Sequence, residues 1–412
     1  MPGQPSGPPL LMEQYTYELP AEKIASHPLD ARDASQLLVY DASRKVIEDE
    51  TFRNLANYLP ENSLLVANTT RVIAARLGLR KATGGRVEVL LTDPVLPLKD
   101  PAAVLAMRHR SVWRCLIGGR NVAPGAILRS DTSTLTATVI DRTGTEAHVE
   151  LAWDTEQTLS EIIASEGTLP LPPYLQREAE VQDRDRYQTV YAEEEGSVAA
   201  PTAGLHFTDS VFASLAAKNI QRAHVTLHVG LGTFQPVNAA DVRNHTMHEE
   251  RFGFSRTSLQ QLLAHLDGVA PWITAVGTTS LRTLESVFAL GARLAIGGKH
   301  SAPTMEVDQW DAFNSAWDDV LRADAVRALL AHMDSNNTST LWGETRLMLA
   351  PGCRIAMADA LITNFHQPGN TLLLLVAAFI GDEWRTVYNH ALENNYRFLS
   401  YGDSSLLIRQ RR

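Results

Sequence analysis

Short segments in which apolar and polar residues alternate mark the stretch of chain between residues 72 and 162. Clear examples are residues 86–91, 112–117 and 135–140. Turn-forming pairs separate these segments: Gly84-Gly85, Gly118-Gly119, Pro124-Gly125 and Thr143-Gly144. Short strands with turns at such spacing are typical of a small barrel. The pattern therefore predicts an antiparallel β-barrel over about residues 72–162.

The flanking parts of the chain show a different pattern, in which continuous apolar runs alternate with helical periodicity. The apolar runs occupy residues 63–67, 220–229 and 272–276. Residues 280–290 follow the last run with apolar residues at helical spacing. Buried strands that alternate with helices indicate an α/β layer. We therefore predict a mixed α/β domain formed by both chain ends, residues 13–71 plus 163–412, with the β-barrel domain inserted into it.

Three further segments depart from these two patterns. Residues 1–12 are rich in Pro and Gly and have neither the basic nor the apolar region of a signal peptide, so they predict a flexible tail. Residues from about 297 to 340 predict a helical insertion with a polar loop. The longest apolar run, residues 372–380, is about half as long as a membrane-spanning helix. It indicates a buried element and no membrane partner.

The composition is that of a soluble globular protein, with 44% hydrophobic and 20% charged residues among 412. Only two cysteines are present, Cys115 and Cys353. Their wide separation excludes a disulfide scaffold and a zinc ribbon, and it favours a reducing, cytoplasmic setting.

The chain is acidic as a whole but contains one basic stretch. The net charge of -10 has the wrong sign for binding nucleic acid over the whole surface. Between residues 71 and 129, however, eleven Lys and Arg face only three acidic residues. This basic stretch belongs to the predicted barrel. It makes Arg108, Arg110 and Arg114 candidates for contacts with RNA, and a β domain whose charges are merely solvated stays open as the alternative.

Glycines and threonines follow two predicted strands of the α/β domain. Gly230 and Gly232 come directly after the strand at residues 220–229, where they let the backbone approach a ligand closely. Residues 277–280 lie between a predicted strand and a predicted helix, so they can offer N–H groups to an anion. An ordinary turn and ordinary helix capping remain open as alternatives at these two places.

Histidines are the other candidates for chemistry. His206 and His366 can transfer protons, because the unperturbed pKa of imidazole lies near neutrality. A structural role with satisfied hydrogen bonds, which is the commoner one for a single histidine, stays open for both. His245 and His248 lie close to acidic residues and suggest a metal-dependent hydrolase as an alternative function. The pattern H-E-x-x-H and a third ligand are both absent from this stretch, so we predict no metal site.

Taken together, the chain resembles the S-adenosylmethionine:tRNA ribosyltransferase-isomerase family from about residue 15 to residue 407. The resemblance depends on the order and number of matching segments. In chain order they are residues 17–20 (YELP), 32–33 (RD), 71–73 (RVI), 169–174 (LPLPPY), 185–191 (DRYQTVY), 196–208 (GSVAAPTAGLHFT), 224–236 (HVTLHVGLGTFQP), 245–250 (HTMHEE), 277–279 (GTT), 282–285 (RTLE), 363–366 (TNFH) and 396–403 (YRFLSYGD). The family fold, an α/β domain with an inserted β-barrel, agrees with the predicted one.

The resemblance implies a reaction that needs S-adenosylmethionine as co-substrate and no metal. The ribosyl unit of S-adenosylmethionine is transferred to 7-aminomethyl-7-deazaguanine at the anticodon wobble position of tRNA and isomerised. The products are epoxyqueuosine, adenine and methionine. No membrane is involved, and a monomer is expected.

The resemblance also implies roles for individual residues. His206 or His228 is the candidate base, Asp403 orients groups or exchanges protons, and Arg71 binds a carboxylate or a phosphate. Residues expected to bind the co-substrate are Thr202, Gly230, Gly232, Gly277, Thr278, Thr279, Arg282, Glu285, Asn364 and His366.

The chain departs from the family pattern at four positions. Thr69, Ala74, Gly369 and Ser404 stand where family members usually have Asp, Pro, Lys and Ala. Two alternatives to the family reaction therefore stay open. One is a non-catalytic tRNA-binding paralogue, and the other is an S-adenosylmethionine-dependent transferase with a different acceptor.

Overall fold

The structure is a computed structural model that describes residues 5, 8–230, 237–297 and 305–410. The strands of these residues are β1 (Gln36–Asp41), β2 (Val46–Thr51), β3 (Leu64–Asn68), β4 (Thr70–Val72), β5 (Arg76–Lys81), β6 (Arg86–Leu96), β7 (Arg110–Ile117), β8 (Ile127–Arg129), β9 (Thr136–Thr143), β10 (Glu146–Ala152), β11 (Gly167–Thr168), β12 (Glu194–Ser197), β13 (Gln221–Leu227), β14 (Glu250–Ser255), β15 (Ile273–Val276), β16 (Met305–Val307), β17 (Thr340–Thr345), β18 (Ala360–Asn364) and β19 (Ser404–Ile408).

Helices of two kinds accompany these strands. The α-helices are α1 (Pro101–Leu105), α2 (Leu159–Glu166), α3 (Asp183–Arg186), α4 (Asp209–Ala217), α5 (Arg256–Leu266), α6 (Gly277–Ala295), α7 (Arg322–Ser335), α8 (Thr371–Ile380) and α9 (Trp384–Glu393). Short 3-10 helices occupy Met12–Tyr15, Ala21–Lys23, Arg32–Ala34, Phe52–Tyr58, Pro173–Leu175, Thr202–His206, Val242–Asn244, Asp311–Phe313, Ser315–Trp317 and Gly381–Glu383. Among the described helices, none has the length and apolar character needed to cross a membrane.

A ten-stranded mixed sheet forms the centre of the α/β domain, in the order β16-β17-β14-β13-β3-β15-β18-β19-β1-β2. Its central strands β13, β3, β15 and β18 run parallel to one another. Every residue of β3, β15 and β18 is buried. Parallel strands of this kind need cover on both faces, which explains their continuous apolar sequences. The carboxyl ends of the four strands therefore meet at one edge of the sheet.

Helix α6 covers the sheet directly after β15. Its first sixteen residues, 277–292, are all buried, because the helix lies between the sheet and α7. Gly291 permits the close approach of these two helices. A Cβ atom at this position would lie 2.2 Å from the backbone oxygen of Ala325 on α7.

The inserted domain is a closed antiparallel barrel in the order β5-β6-β7-β10-β9-β8. Pairing of Arg80 and Lys81 on β5 with β8 closes it. Closure leaves no open sheet edge, which is how small barrels avoid edge-to-edge association. The α/β domain with an inserted antiparallel barrel confirms the predicted fold class.

The structure adds detail at the boundaries of these domains. Helix α2 packs on the barrel through Leu159, Ile162 and Ile163, and β11 then pairs with β5. The chain therefore leaves the barrel at Thr168. The predicted end at residue 162 falls inside a helix that the capping box of Thr158 begins.

Two local predictions are wrong in part. The flexible tail over residues 1–12 does not extend to its predicted end, because Leu11 pairs with Asp241 and Met12 is buried. Residues 1–4 and 6–7 lie outside the described residues. In the predicted helical insertion at 297–340, α7 is preceded by strand β16, which adds to the sheet edge beside β17. Alternation over three residues is too short a signal to distinguish a strand from a loop.

The α6–α7 contact predicts the effect of Gly291→Ala. Alanine has the higher helix propensity by about 1 kcal/mol. The added methyl group would nevertheless meet backbone atoms of Ala325, which cannot move as a side chain can. We expect a net loss of about 1–3 kcal/mol, measured as a lower urea midpoint. Gly78→Ala on β5 is the control, since its Cβ meets nothing within 4 Å. An unchanged or higher midpoint for Gly291→Ala would contradict the described contact.

Candidate functional site

A cleft opens at the sheet edge where the parallel strands end. Three segments line it: the first turn of α6 after β15, residues 363–370 at the end of β18, and residues 199–203 before and within a short 3-10 helix. The cleft contains about 610 Å³ of empty space, open solvent included. Crevices at the carboxyl ends of parallel strands are the usual ligand sites of open α/β sheets.

The start of α6 offers hydrogen-bond donors to this cleft. Gly277 has a φ of 85°, which glycine adopts without strain, and the N-cap residue Val276 provides no side-chain cap. The Oγ1 atom of Thr279 is buried without a hydrogen-bond partner among the described residues. Uncapped N–H groups at a helix start attract anionic or polar ligand groups. The predicted residues Gly277, Thr278 and Thr279 thus line one wall of the cleft together.

Asn364 at the end of β18 forms the opposite wall. Its Oδ1 accepts a hydrogen bond from the Thr202 hydroxyl at 2.9 Å. Its Nδ2 donates to the backbone oxygen of Asp403 at 3.3 Å and to Nε2 of His206 at 3.2 Å. These partners fix the orientation of the amide. Thr202 and Asn364 are therefore held rigidly at the cleft, as residues that shape a pocket must be.

His206 lies behind Asn364 and does not face the cleft. Its Nε2 accepts from Asn364, so Nδ1 carries the proton and donates to Oγ of Ser35 at 2.9 Å. Burial, followed by the nearby positive charge of Arg397, lowers the pKa of His206 to about 3. The ring is neutral with both nitrogens occupied. Its geometry is that of a group that positions Asn364.

His366 lines the cleft, and its ring is also held in place. Its Nε2 pairs with the Thr363 hydroxyl at 2.8 Å, and its backbone N–H donates to the hydroxyl of Tyr388 at 3.0 Å. Burial lowers the pKa of His366 to about 3. It therefore presents a neutral ring to any ligand.

A second pocket, with about 470 Å³ of empty space, adjoins the cleft and shares Leu372 with it. Arg282 lines this pocket from α6. Its Nη1 pairs with the Glu250 carboxylate and its Nε donates to the backbone oxygen of Leu347 at 3.2 Å. Its Nη2 is buried and has no partner among the described residues. This guanidinium can bind a ligand carboxylate through the remaining donor.

His245 and His248 line the same second pocket. Burial lowers the pKa of His245. Across residues 8–230, 237–297 and 305–410, no three His, Cys, Asp or Glu side chains lie close enough together to hold a metal ion.

A third cavity separates the barrel from the α/β domain, and we call it the junction cavity. It contains about 860 Å³ of empty space, is lined by His228 and Gly230, and shares Val229 with the cleft. His228 is only 8% exposed, and neither ring nitrogen forms a hydrogen bond of normal geometry among the described residues, although the backbone of Gly196 lies close to the ring. Burial lowers its pKa to about 4. A neutral imidazole with a free nitrogen can accept a proton, which His206 cannot.

Close packing fixes the place of His228. Gly196 has a φ of 128°, and a Cβ atom there would lie 3.1 Å from Nδ1 of His228 and 2.5 Å from Cβ of Pro101. Pro101 begins helix α1 of the inserted domain. A residue other than glycine at position 196 would therefore disturb both the imidazole and the contact between the domains.

Three predicted residues lie outside these pockets. Asp403 accepts hydrogen bonds from the backbone of Gln36 at 3.1 Å and of Arg397 at 2.7 Å, so it holds the chain together at β19. Arg71 is exposed and donates to the backbone oxygen of Ala192 at 3.0 Å. Neither placement brings the side chain to the cleft.

Glu285 is the third. It lies one turn beyond Arg282 on α6 and accepts hydrogen bonds from the backbone N–H groups of Ala356 and Met357 at 2.7 and 2.9 Å. Burial raises its pKa. It holds the loop at residues 356–357 and lines none of the three pockets, whereas its predicted role was in binding. Gly232 lies outside the described residues.

The three candidate RNA-binding arginines each pair with a carboxylate. Arg108 lies 3.0 Å from Glu156, Arg110 lies 3.7 Å from Glu150, and Arg114 lies 2.7 Å from Asp93. All three are more than a third exposed, and such pairs contribute little to stability. A phosphate can therefore compete with the carboxylates.

Two positions that depart from the family pattern keep a structural role. Thr69 is buried and its hydroxyl donates to the backbone oxygen of Val225, while Arg71 points outward, so these two side chains do not form one unit. Gly369 has a φ of 70° in a turn whose backbone N–H donates to the oxygen of Tyr15. The neighbouring Asn370 caps α8 through its side chain, which accepts hydrogen bonds from the backbone N–H groups of Leu372 and Leu373. The turn at Gly369 therefore leads directly into a capped helix.

Several residues of these pockets were not predicted. Glu249, Arg251 and Glu344 line the junction cavity, and Ser35 fixes the ring of His206. Glu249 belongs to the segment 245–250 that carries the family resemblance. The others stand singly between ordinary neighbours, and only the fold brings them to these places.

The buried histidines predict a loss of stability in acid. His206, His228 and His366 have folded-state pKa values of about 3, 4 and 3, below the unfolded value of about 6.5. Their contribution is therefore complete above pH 6.5 and is lost as the pH falls towards 4. Each histidine contributes at most about 1.4 kcal/mol per pH unit to the slope. Urea midpoints measured between pH 7.5 and 5 should fall, and His366→Gln should reduce the slope. Equal slopes for both proteins would contradict this.

Known proteins resemble this chain over nearly its whole length. The profile of the family described as "Queuosine biosynthesis protein" matches residues 12–407. The S-adenosylmethionine:tRNA ribosyltransferase-isomerase of Azoarcus sp. (strain BH72) is 38% identical over 401 residues, 97% of this chain and 98% of that protein. The protein of the same name from Thermotoga petrophila is 37% identical over 399 residues, 96% of this chain and 99% of that protein.

A solved structure is also similar, the S-adenosylmethionine tRNA ribosyltransferase of Thermotoga maritima. It is 28% identical, and the match covers 96% of this chain and all of that one, with a TM-score of 0.47. The family match over nearly the whole chain, together with relatives above one third identity, establishes that the chain belongs to the queuosine biosynthesis protein family.

Proposed function

We propose that this chain transfers the ribosyl unit of S-adenosylmethionine to tRNA and isomerises it, as the shared name of its relatives describes. One structural observation carries the proposal. Three buried polar groups of predicted site residues lack partners within the described residues: the ring of His228, Oγ1 of Thr279 and Nη2 of Arg282. They lie in three adjoining pockets. Unsatisfied buried polar groups cost about 1–3 kcal/mol each, and a bound substrate offsets that cost.

The pockets suggest how S-adenosylmethionine binds. Nη2 of Arg282 binds the methionine carboxylate in the second pocket. The first turn of α6 and the hydroxyl of Thr279 bind polar groups of the adenosine part in the cleft. The two pockets meet at Leu372, so one extended molecule can occupy both.

His228 is the general base of this proposal. The sulfonium acidifies the C5′ hydrogens, so removal of one proton by a neutral imidazole gives a carbon nucleophile. The amine nitrogen of the acceptor forms the new C–N bond to the ribosyl unit and loses a proton, and rearrangement of the ribose breaks the C1′–N bond to adenine and the C5′–S bond to methionine. The low pKa of His228 keeps the ring neutral at pH 7, and Val229 places it beside the cleft.

We extend the proposal to the acceptor and the product. The acceptor is 7-aminomethyl-7-deazaguanine at the wobble position of tRNA, the product is epoxyqueuosine, and the working unit is a monomer. Incubation with tRNA carrying this base and S-adenosylmethionine should release adenine and give the epoxide nucleoside by mass spectrometry. Binding of tRNA without adenine release would favour the non-catalytic paralogue.

His228→Leu separates a catalytic from a structural role. The variant removes two unsatisfied nitrogens, so the urea midpoint should stay the same or rise. Turnover should fall by about two to four orders of magnitude, the usual contribution of a general base. His206→Leu is the matched control: it breaks the bonds to Ser35 and Asn364 and should lower the midpoint. Turnover within tenfold of wild type in His228→Leu would remove this histidine from catalysis.

Charge reversal tests the barrel as the tRNA surface. The triple variant Arg108→Glu, Arg110→Glu, Arg114→Glu should weaken tRNA binding and leave the affinity for S-adenosylmethionine unchanged. The slope of log affinity against log salt should decrease by about 0.7–0.9 for each phosphate that the variant no longer neutralises. Arg327→Glu is the control, because this arginine lies on α7, outside the barrel, and is likewise exposed and paired with carboxylates, those of Asp267 and Asp324. Equal tRNA affinity in the triple variant would exclude the barrel face.

A further inference from the structure

The junction cavity contains one carboxylate whose charge is poorly compensated. Its other acidic groups have close partners: Asp93 pairs with Arg114 at 2.7 Å, and Glu249 pairs with Arg346 at 2.5 Å. Glu344 on β17 is only 13% exposed, and Lys99, the cation facing it, lies 3.8 Å away with 68% of its side chain exposed. A mobile, hydrated lysine at that distance compensates a buried charge weakly.

The carboxylate of Glu249 adds negative charge beside Glu344. Burial, and next the negative charge of Glu249, raise the pKa of Glu344. A raised pKa means that ionised Glu344 costs stability at neutral pH, and this cost disappears when the group is protonated. A bound cation would remove the same cost without a proton. Glu344 and Glu249 together therefore favour a positively charged ligand.

The cavity also contains the buried, unpartnered ring of His228. It is a separate sign that the cavity takes a polar ligand, because neither ring nitrogen forms a hydrogen bond with Glu344 or Glu249. The cavity offers about 860 Å³ of empty space, open solvent included, and this opening leaves room for a nucleobase turned out of its stack. Both domains contribute walls, with Asp93 and Arg114 from the barrel and Glu344 from the sheet.

We infer that Glu344, assisted by Glu249, binds the ammonium of the aminomethyl group on the acceptor base, which occupies the junction cavity beside His228. This inference rests on the proposed function. Two substrates of the proposed reaction carry a primary ammonium that could bind here: the aminomethyl base and the methionine part of S-adenosylmethionine. Arg282 places that part in the second pocket, so the base is the ligand of Glu344.

The test compares two tRNAs that differ only in one base, 7-aminomethyl-7-deazaguanine or guanine. Wild type should bind the aminomethyl tRNA about tenfold more tightly or better, because guanine cannot form the charge-assisted hydrogen bond. Glu344→Gln should weaken binding of the aminomethyl tRNA to the level of the guanine tRNA. The affinity for S-adenosylmethionine should stay within twofold of wild type.

Glu306→Gln is the control. Glu306 lies on β16, directly beside Glu344 in the ladder between β16 and β17, but its side chain is exposed. This variant should retain the preference for the aminomethyl tRNA. A wild type without that preference overturns the inference even if the Glu344 variant does not fold, which its urea midpoint would show. If Glu344→Gln weakened only the binding of S-adenosylmethionine, the ammonium bound by Glu344 would be that of the co-substrate. This result would also overturn the inference. The binding measurements need no turnover, so they test the inference alone. Adenine release is measured separately, and its absence in wild type would refute the proposed function.

Discussion

The parallel pairing of β13, β3, β15 and β18 is the constraint on which the site depends. Register partners such as Val225 with Asn68, and Val276 with Ala67, align the carboxyl ends of strands that are far apart in sequence. The segments that follow these strands then reach one edge of the sheet together. Without this alignment, the start of α6, the residues around Asn364 and the ring of His228 would have no common location.

The same alignment explains why the site contains buried polar groups. Segments at this edge of the sheet carry polar side chains into a region with little water, since His206, His228 and Thr279 are all buried. His206 resolves this through Ser35 and Asn364, whereas His228 and Thr279 keep unsatisfied atoms. The difference separates two roles within one set of residues. Groups with partners give the pocket its shape, and groups without partners await a ligand, so stability and function make opposite demands on them.

The sequence predicted the parts of the molecule that depend on local patterns. Alternation with turn pairs identified the barrel, and the Gly277-Thr278-Thr279 segment, which the sequence places between a strand and a helix, lines the cleft. It could not distinguish residues that face the cleft from residues that support it. Asp403 and Glu285 belong to segments that carry the family resemblance, but their carboxylates accept backbone N–H groups and hold loops. Sequence order contains no information on which side of a loop a side chain occupies.

The inserted barrel acquires its importance from where it contacts the α/β domain. Pro101 at the start of α1 lies against Gly196, and Gly196 lies against the ring of His228. The position of the barrel is therefore coupled directly to the group that is free to accept a proton. The exposed Arg108 and Arg110 lie on the same inserted domain as Asp93 and Arg114, which line the junction cavity. A polyanion bound to the barrel and a base in the junction cavity would consequently contact the same domain, so binding of the polyanion would bring the base to His228.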